Sequence, residues 1–134
     1  MSWDYKSVNM ESLIGLTFTN IERSPITAED DEIIFTTADG RKFKMYHSQD
    51  CCESVRIEDI AGNLEDLIGS PILMSEESTN EGKVDNREYA DSCTWTFYKF
   101  ATVKGYVTIR WYGTSNGYYS ERANLVEWRN ESTD

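Results

Sequence analysis

The sequence predicts a mainly β fold with a minor helical part. Apolar and polar side chains alternate in short runs such as 41–46 and 106–112, and this period of two is typical of half-buried strands. Asp39-Gly40 and Asn116-Gly117 lie between such runs, and both dipeptides are strong hairpin signals. A chain of 134 residues is long enough for one domain with its own core. We therefore expect a single compact antiparallel β meander, or a partly closed sheet, with two short helices.

Each predicted element follows from a local pattern. The last three strands follow one another through short turns, so we expect them to form an antiparallel meander that is the core sheet. Each short helix ends at a glycine, and they are expected at 10–15 and 64–69. The polar segment 75–92 lacks periodicity and is predicted as a long acidic loop, and residues 129–134 are expected to fray. The predicted strands are 16–21, 32–37, 41–46, 71–74, 94–102, 106–112 and 118–128.

The predicted core consists of apolar side chains in and around these elements. Several of them alternate along a strand, so that they share one face of a sheet. The predicted core residues are Leu13, Ile14, Phe35, Phe43, Met45, Ile60, Leu67, Ile68, Ile72, Trp95, Phe97, Val107, Ile109 and Trp111.

The two helical segments resemble each other. Residues 10–15 read MESLIG and residues 64–69 read LEDLIG, and an apolar strand follows each. This similarity has two interpretations. In the first, the same short helical motif occurs twice because it leads the chain into a strand. In the second, the chain consists of two related β-rich halves.

The charge is strongly negative and unevenly distributed. The chain has 24 acidic and 13 basic residues, a formal net charge of −11. Residues 48–91 hold 12 acids and three bases, whereas 92–134 is nearly balanced. This disfavours direct binding to nucleic acid or to anionic membranes, which require basic surface. The acidic block is either a solubilising face or a surface that mimics nucleic-acid phosphates and docks on a basic partner.

The cysteines and the N-terminus bear on localisation. No apolar run approaches the roughly 20 residues that span a bilayer, and the first residues lack the basic and apolar regions of a signal peptide. The odd number of cysteines fits reduced thiols better than a disulfide framework. We therefore expect an intracellular protein without membrane contact.

The segment 46–53 holds the one histidine and two of the three cysteines. A metal site would use His47, Cys51 and Cys52, with Cys93 as a fourth ligand, but zinc sites usually use two separated pairs of ligands. A Cys–His nucleophile is also disfavoured, because side chains so close in sequence rarely face each other. We expect no metal and no cofactor. Two alternatives remain: core packing, or a ligand-contacting loop of Tyr46, His47, Ser48, Gln49 and Asp50.

A second candidate group lies on the C-terminal strands and the turn between them. Tyrosine and arginine near a Gly/Asn turn suit stacking on a base and pairing with phosphate. The alternative is that the same aromatics pack as cross-strand pairs. No phosphate-binding glycine loop, GxSxG or HExxH motif is present, so no catalytic residue is predicted. The candidate ligand residues here are Tyr98, Arg110, Tyr112, Ser115, Asn116, Tyr118 and Tyr119, with Arg56 as a further cation.

Three long motifs resemble a known family. They are YHSQDCCESVRIEDI at 46–60, NLEDLIGSPILMSEE at 63–77 and TWTFYKFATVKGYVTIRWYGTSNGYYSE at 94–121. They resemble the signatures of a small uncharacterised family frequent in tailed bacteriophages and prophages. The resemblance covers most of the chain after residue 10 and departs in the first ten residues and in the acidic loop. The family is a domain of unknown function, so no site residue carries over from it.

The resemblance implies a phage accessory protein that counters host immunity in the host cytoplasm. Some such proteins are sponges for the cyclic-nucleotide or cyclic ADP-ribose messenger of a defence system. Others are acidic DNA mimics that block CRISPR effectors or restriction enzymes. The leading hypothesis is thus a homo-oligomeric binding protein that sequesters a messenger without cleaving it. The runner-up is an acidic inhibitor of a basic host defence protein. A small nucleotide hydrolase or lyase and a structural or virion-assembly role are further alternatives.

Overall fold

The computed structural model describes residues 3–25, 27–47, 53–82, 92–115 and 121–130. Within these residues the fold is mainly β, as predicted, and the two expected short helices are single 3-10 turns at Met10–Leu13 and Leu64–Leu67. Neither turn is long or apolar enough to cross a membrane. The strands are β1 (Trp3–Ser7), β2 (Phe18–Arg23), β3 (Glu32–Thr37), β4 (Lys42–Tyr46), β5 (Ser54–Ala61), β6 (Met74–Gly82), β7 (Ser92–Thr102), β8 (Gly105–Ser115) and β9 (Asn124–Asn130).

The strands form two antiparallel sheets rather than one partly closed sheet. The first sheet has the order β1-β9-β4-β3-β2, and the second has the order β5-β8-β7-β6. Their inner faces contribute side chains to a common core. This arrangement leaves the outer face of each sheet available to solvent.

Two sequence expectations are wrong. The strand predicted at 118–128 does not continue the meander of β7 and β8, because β9 pairs with β1 and β4 in the other sheet. Residues 75–82, predicted as part of a loop, lie in β6, which pairs with β7 along its whole length. β6 is an edge strand whose residues 76–80 are exposed, so it lacks the apolar alternation that marks a half-buried strand. Residues 83–91, 116–120 and 131–134 lie outside the described part of the chain.

The topology supports the interpretation that the chain consists of two related halves. In each half a 3-10 turn is followed by three strands, β2-β3-β4 and β6-β7-β8, which have the same order in their sheets. A fourth antiparallel strand then pairs with the last of these three, β9 with β4 and β5 with β8. β1 is an additional strand at the edge of the first sheet. The hairpins also correspond, because FTTADG at 35–40 matches FATVKG at 100–105.

Reciprocal backbone hydrogen bonds join the two halves. The Gly15 N–H donates to the Ile72 carbonyl over 2.8 Å, and the Gly69 N–H donates to the Phe18 carbonyl over 2.9 Å. Both glycines follow a 3-10 turn and have positive φ, +91° and +87°, which glycine adopts without steric cost. Gly15 corresponds to Gly69 and Ile72 corresponds to Phe18, so the two hydrogen bonds are equivalent and relate the halves as a pseudo-twofold axis would.

Aromatic rings of the two halves contact each other in the core. Phe35 and Phe100 occupy corresponding positions and their ring centroids lie 5.7 Å apart, while Phe18 lies 5.1 Å from Phe35. Most predicted core residues are buried, including Leu13, Leu67, Phe43, Met45, Ile72, Val107, Ile109 and Trp111. Ile14 is 48% exposed, because it caps the first turn with its side chain outside the core. Trp95 and Phe97 are half-buried and belong to the outer face of the second sheet.

A buried carboxylate fastens the edge of β5 to the loop between β2 and β3. Asp31 accepts from Nε and Nη2 of Arg56, each over 2.9 Å, and from the backbone N–H of Ile57 over 2.8 Å. Arg56 also donates to the carbonyls of Ala28 and Glu29. Burial by itself would raise the pKa of Asp31, but the hydrogen bonds from Arg56 and Ile57 outweigh it and hold this pKa below its ordinary value.

We expect Asp31→Asn to lower the free energy of unfolding by about 2 kcal/mol at pH 7, because charge-assisted hydrogen bonds to Arg56 are lost. The pKa of Asp31 is lower in the folded state than its ordinary 3.8. The stabilisation is therefore present above pH 4 and is lost as the pH falls through the depressed folded-state value. Urea unfolding from pH 7 to pH 2.5 measures this. Asp30→Asn, an exposed neighbour, is the control, and equal stability of both variants at pH 7 would contradict the prediction.

Candidate functional site

The alternation of side chains along the two central strands, β7 and β8, determines which residues lie on the outer face of the second sheet. In β8 the side chains of Val107, Ile109 and Trp111 are buried, so Arg110 and Tyr112 face outward. In β7 the alternate residues Thr94, Thr96, Tyr98 and Phe100 are buried. Trp95, Phe97 and Lys99 therefore share the outer face with Arg110 and Tyr112.

These outward side chains form an aromatic platform, which we define as Asn80, Trp95, Phe97, Arg110 and Tyr112. The register places Asn80, Trp95 and Tyr112 in one row across the sheet, and Phe97 opposite Arg110 in the next. The ring centroids of Trp95 and Tyr112 lie 5.1 Å apart. An open cavity of about 420 Å³ lies over the platform, lined by Asn80, Trp95, Phe97 and Arg110 together with Glu58.

Glu58 holds Arg110 at the edge of the platform. The pairing of β5 with β8 shifts register between Ile57 and Asp59, which makes Glu58 the extra residue of a β-bulge. Bulges redirect side chains, and here Glu58 Oε1 lies 2.7 Å from Nε of Arg110. The two side chains are 38% and 39% exposed. An ion pair this exposed contributes only about 0–1 kcal/mol, so an anionic ligand can compete for the guanidinium.

Lys99 adds a second cation to this face. It lies on β7, opposite Thr108 of β8 and Glu76 of β6 in the register. Arg110 is next to two carboxylates, Glu58 in the ion pair and Asp59 opposite it in the register, and Lys99 is opposite Glu76. These charges leave the face without a positive excess of its own.

Arg56 lies on β5 beside Tyr112 in the register, but its guanidinium is engaged with Asp31. It therefore supports the edge of the sheet next to the platform. Its role as a ligand contact remains a prediction.

His47 lies immediately after β4 and is buried. Its Nδ1 is 2.7 Å from the Arg122 carbonyl oxygen, and its Nε2 is 2.8 Å from Glu53 Oε2. Because a carbonyl oxygen only accepts, Nδ1 must carry a proton and donate it. The contact with Glu53 needs a second proton, which sits on either the imidazole or the carboxyl group. Both ring nitrogens of His47 are therefore occupied by contacts within the fold.

Ser115 and Tyr98 also point inward. The Ser115 hydroxyl donates to the buried carboxylate of Glu121, which also accepts from the hydroxyls of Ser92 and Thr94. The Tyr98 hydroxyl donates to the Ala123 carbonyl over 3.0 Å, and burial raises the pKa of Tyr98 well above its usual range. These contacts anchor the chain that leads into β9 to the second sheet.

The remaining predicted ligand residues divide into two groups. Tyr46 lies on the outer face of the first sheet, away from the platform, where Nζ of Lys44 is 4.7 Å from its ring centroid.

Among the described residues no group of three or more His, Cys, Asp or Glu side chains is arranged to hold a metal ion. Six predicted ligand residues lie outside the described residues: Ser48, Gln49, Asp50, Asn116, Tyr118 and Tyr119.

Sequence reasoning identified Arg110 and Tyr112 but missed most of the platform. Trp95 and Phe97 were assigned to the core because they are large and apolar. The alternation along β7 indicates the outer face instead. Lys99, Phe97 and Trp95 are alternate residues and so lie on the same side of the strand, and a lysine is usually exposed. The sequence gives no signal for Asn80, because the polar residues of β6 predict a loop.

We expect His47→Ala to lower the free energy of unfolding by about 3 kcal/mol, because it removes one member of a buried pair and with it the imidazole contacts to Glu53 and to the Arg122 carbonyl. Urea unfolding at pH 7 measures the change. Ser54→Ala, an exposed substitution on the adjacent strand, should leave stability within about 0.5 kcal/mol. A His47→Ala protein as stable as the Ser54→Ala control would contradict the structural role of the pair.

One sequence family model matches the part of the chain that contains the aromatic platform and most of both sheets. A family model described as a domain of unknown function, DUF7448, matches residues 11–125. No curated protein and no solved structure shows a significant match to the chain. The matched region spans the second sheet completely and most of the first. The chain therefore belongs to the DUF7448 family.

Proposed function

We propose that this protein binds a nucleotide messenger on the aromatic platform and sequesters it without cleaving it. The observation that carries the proposal is that two large aromatic side chains, Trp95 and Phe97, lie half-exposed beside Arg110 on an outer sheet face. In this proposal the protein is phage-encoded and acts against a host immune system in the host cytoplasm. The ligand class is a cyclic oligonucleotide or a cyclic ADP-ribose derivative.

The aromatic rings supply affinity for bases. Stacking of a base on an aromatic side chain contributes about 1–3 kcal/mol and tolerates any base, because every base has a π face. Trp95 and Phe97 lie two residues apart on β7, a spacing of about 7 Å along the strand. Two bases of one ligand can therefore contact the two rings, while the Asn80 amide is available for a polar base edge.

The cations supply the phosphate contacts. Arg110 is held by Glu58 only in an exposed ion pair, and its guanidinium can accommodate a phosphate with two parallel hydrogen bonds. Lys99 lies on the same face in the row next to Arg110. The carboxylate of Glu58 opposes an anion at the same place, so it should limit affinity.

Sequestration requires more enclosure than one platform gives. Tight small-molecule sites bury some 70–90% of the ligand surface, whereas this cavity is open on one side. In the proposal a second copy of the chain covers the ligand with its own platform, so that the complex is a homo-oligomer. Light scattering should then report a ligand-bound mass of at least twice the 15.5 kDa chain mass.

The first experiment is a thermal-shift panel of cyclic dinucleotides, cyclic trinucleotides and cyclic ADP-ribose derivatives. A ligand at 100 times its dissociation constant adds about 2.7 kcal/mol to stability. Ligand released by heating should elute unchanged in chromatography. Recovery of an altered ligand would instead indicate an enzyme, and no shift with any member of the panel would reject these messengers.

Substitutions on the platform should separate its stacking and charge contributions. For a ligand identified by the panel, we expect Trp95→Ala and Arg110→Gln each to weaken binding about tenfold, equivalent to 1.4 kcal/mol. Glu58→Gln should strengthen binding about threefold, because it removes the carboxylate that competes for Arg110. Isothermal titration calorimetry measures all three dissociation constants.

Tyr106→Ala is the matched control for loss of an outer-face aromatic. Tyr106 lies on β8 with its side chain outward, is 75% exposed and does not line the cavity. Its substitution should leave affinity unchanged. Equal losses for Tyr106→Ala and Trp95→Ala, or unchanged affinity in Arg110→Gln, would contradict binding on the platform.

A second candidate function rests on the free edges of the second sheet. Glu76 and Glu77 are exposed on β6, and Glu58 and Asp59 are exposed on β5 at the opposite edge. Exposed carboxylates along both edges support an acidic inhibitor that imitates nucleic-acid phosphates. Its partner would be a basic host defence protein such as a CRISPR effector or a restriction enzyme.

Salt and charge neutralisation distinguish this candidate from messenger binding. We expect Glu76→Gln/Glu77→Gln to slow association with a purified restriction enzyme or CRISPR effector about tenfold, with a strong dependence on ionic strength. Surface plasmon resonance measures the association rate, and Arg110→Gln is the control that should leave it unchanged. Binding that is insensitive to both salt and neutralisation would reject the mimic.

A further inference from the structure

The outer face of the first sheet carries a second group of aromatic and cationic side chains, formed by Lys42, Lys44 and Tyr46 of β4 and Trp128 of β9. Phe43 and Met45 are buried, so the alternate residues of β4 face outward. Lys42 and Trp128 are directly opposite in the register. Nζ of Lys44 lies 4.7 Å from the Tyr46 ring centroid and 5.7 Å from the Trp128 ring centroid. We call this group the lysine–aromatic face.

The lysines of this face lack acidic partners, in contrast to several arginines. Arg41 pairs with Glu127, Arg56 with Asp31 and Arg110 with Glu58. Among the described residues, no carboxylate lies within ion-pair distance of Lys42 or Lys44. Glu127 is opposite Phe43, between the two lysines, but it is buried on the inner side and pairs with Arg41. On the outer face the acid nearest in the register is Glu32, which is opposite Tyr46.

Uncompensated positive charge here is informative because the chain as a whole has 24 acids. Lys44 is half-buried between two rings, so part of its hydration is already replaced by ring contacts. Cation–π contacts of this kind stabilise an ammonium group but do not neutralise it. An anion arriving at this face would therefore meet charge that no acidic side chain neutralises.

We infer that the lysine–aromatic face is a binding site for a nucleoside polyphosphate. Lys42 and Lys44 are two residues apart on one side of a strand, about 7 Å along it, and a di- or triphosphate can reach both ammonium groups. Lysine binds phosphate as a compact charge. The Trp128 ring, next to Lys42 in the register, offers a surface on which the base stacks.

This site is separate from the aromatic platform and does not rest on the proposed function. The two groups lie on the outer faces of different sheets, with the shared core between them. The correspondence between the halves places both on equivalent central strands, β4 and β8. Each face can therefore be tested while the other is intact.

Indole N–H signals in a ¹⁵N-labelled protein report on the two faces independently. Trp128 reports on the lysine–aromatic face, Trp95 on the platform, and the fully buried Trp111 on the core. Single Trp→Phe variants assign the signals. Magnesium-free ATP, titrated at constant ionic strength, should shift the Trp128 signal saturably and leave Trp111 in place. Tripolyphosphate should compete with ATP, and adenosine should bind at least tenfold more weakly.

The variant Lys42→Gln/Lys44→Met should raise the ATP dissociation constant at least tenfold while keeping the apolar stem of residue 44. Lys42→Gln alone changes an exposed side chain and should give an intermediate loss, so the test stands even if the double variant is unstable. Lys6→Gln is the matched control, because Lys6 is exposed in the same sheet, opposite Glu127. It should leave affinity unchanged.

Three outcomes would overturn the inference. They are a Trp128 signal that does not move up to millimolar ATP, a shift that survives both lysine substitutions, or an equal response to adenosine. Movement of Trp95 without Trp128 would reject this site and leave the platform proposal standing. Movement of Trp128 without Trp95 would support this site, while the platform proposal would still be decided by its own panel of cyclic messengers.

Discussion

The reciprocal hydrogen bonds between the two halves are the constraint on which the rest of the structure depends. Gly15 bonds to Ile72 and Gly69 bonds to Phe18 at the two places where the chain leaves a 3-10 turn. Each bond joins the turn of one half to the residues at or just before the first strand of the other half. The two sheets are therefore held face to face. The apolar side of each central strand is then buried in the shared core. Ligand recognition by the described strands is left to the two outer faces and the free edges.

The same constraint explains why chemically distinctive residues do not form the candidate sites. His47, Glu53 and Glu121 are buried where β4, β5, β7, β8 and the segment before β9 meet. Their polar atoms are satisfied by a backbone carbonyl, by each other and by hydroxyl groups. A buried ionisable group without partners would be strongly destabilising. These contacts therefore hold the segment before β9 against the second sheet through Glu121 and against the end of β4 through His47.

Local pattern was sufficient to predict the class of the fold and most of the core. Alternation identified β3, β4, β7 and β8, and the turns at Asp39-Gly40 and Lys104-Gly105 joined them correctly into hairpins. The placement of β9 could not be predicted, because its pairing with β1 and β4 involves residues far apart in sequence and no turn signal encodes it. β6 was missed because an exposed edge strand has no apolar face to produce a period of two.

The candidate site was predicted only in part for a related reason. Hydrophobicity alone assigns a tryptophan to the core, whereas burial in a strand depends on parity. Trp111 shares parity with Val107 and Ile109 and is fully buried, while Trp95 shares parity with Lys99 and faces outward. In β7 and β8 the charged residues Lys99 and Arg110 therefore indicate the outer face better than the aromatic residues indicate the inner face.

Charge acts on this molecule at two length scales, and their combination constrains what the outer faces can bind. Over more than about 10 Å the net charge of −11 repels anions, although salt at 0.1 M screens much of this repulsion. Within a few ångströms, Lys42, Lys44 and Arg110 present positive groups. A long polyanion such as duplex DNA would extend past the platform to the exposed carboxylates on β5 and β6, the two edge strands of the same sheet, and would be repelled there. A short anion fits within one face and meets the local contacts alone, which is the charge argument for proposing small phosphorylated ligands at the two faces.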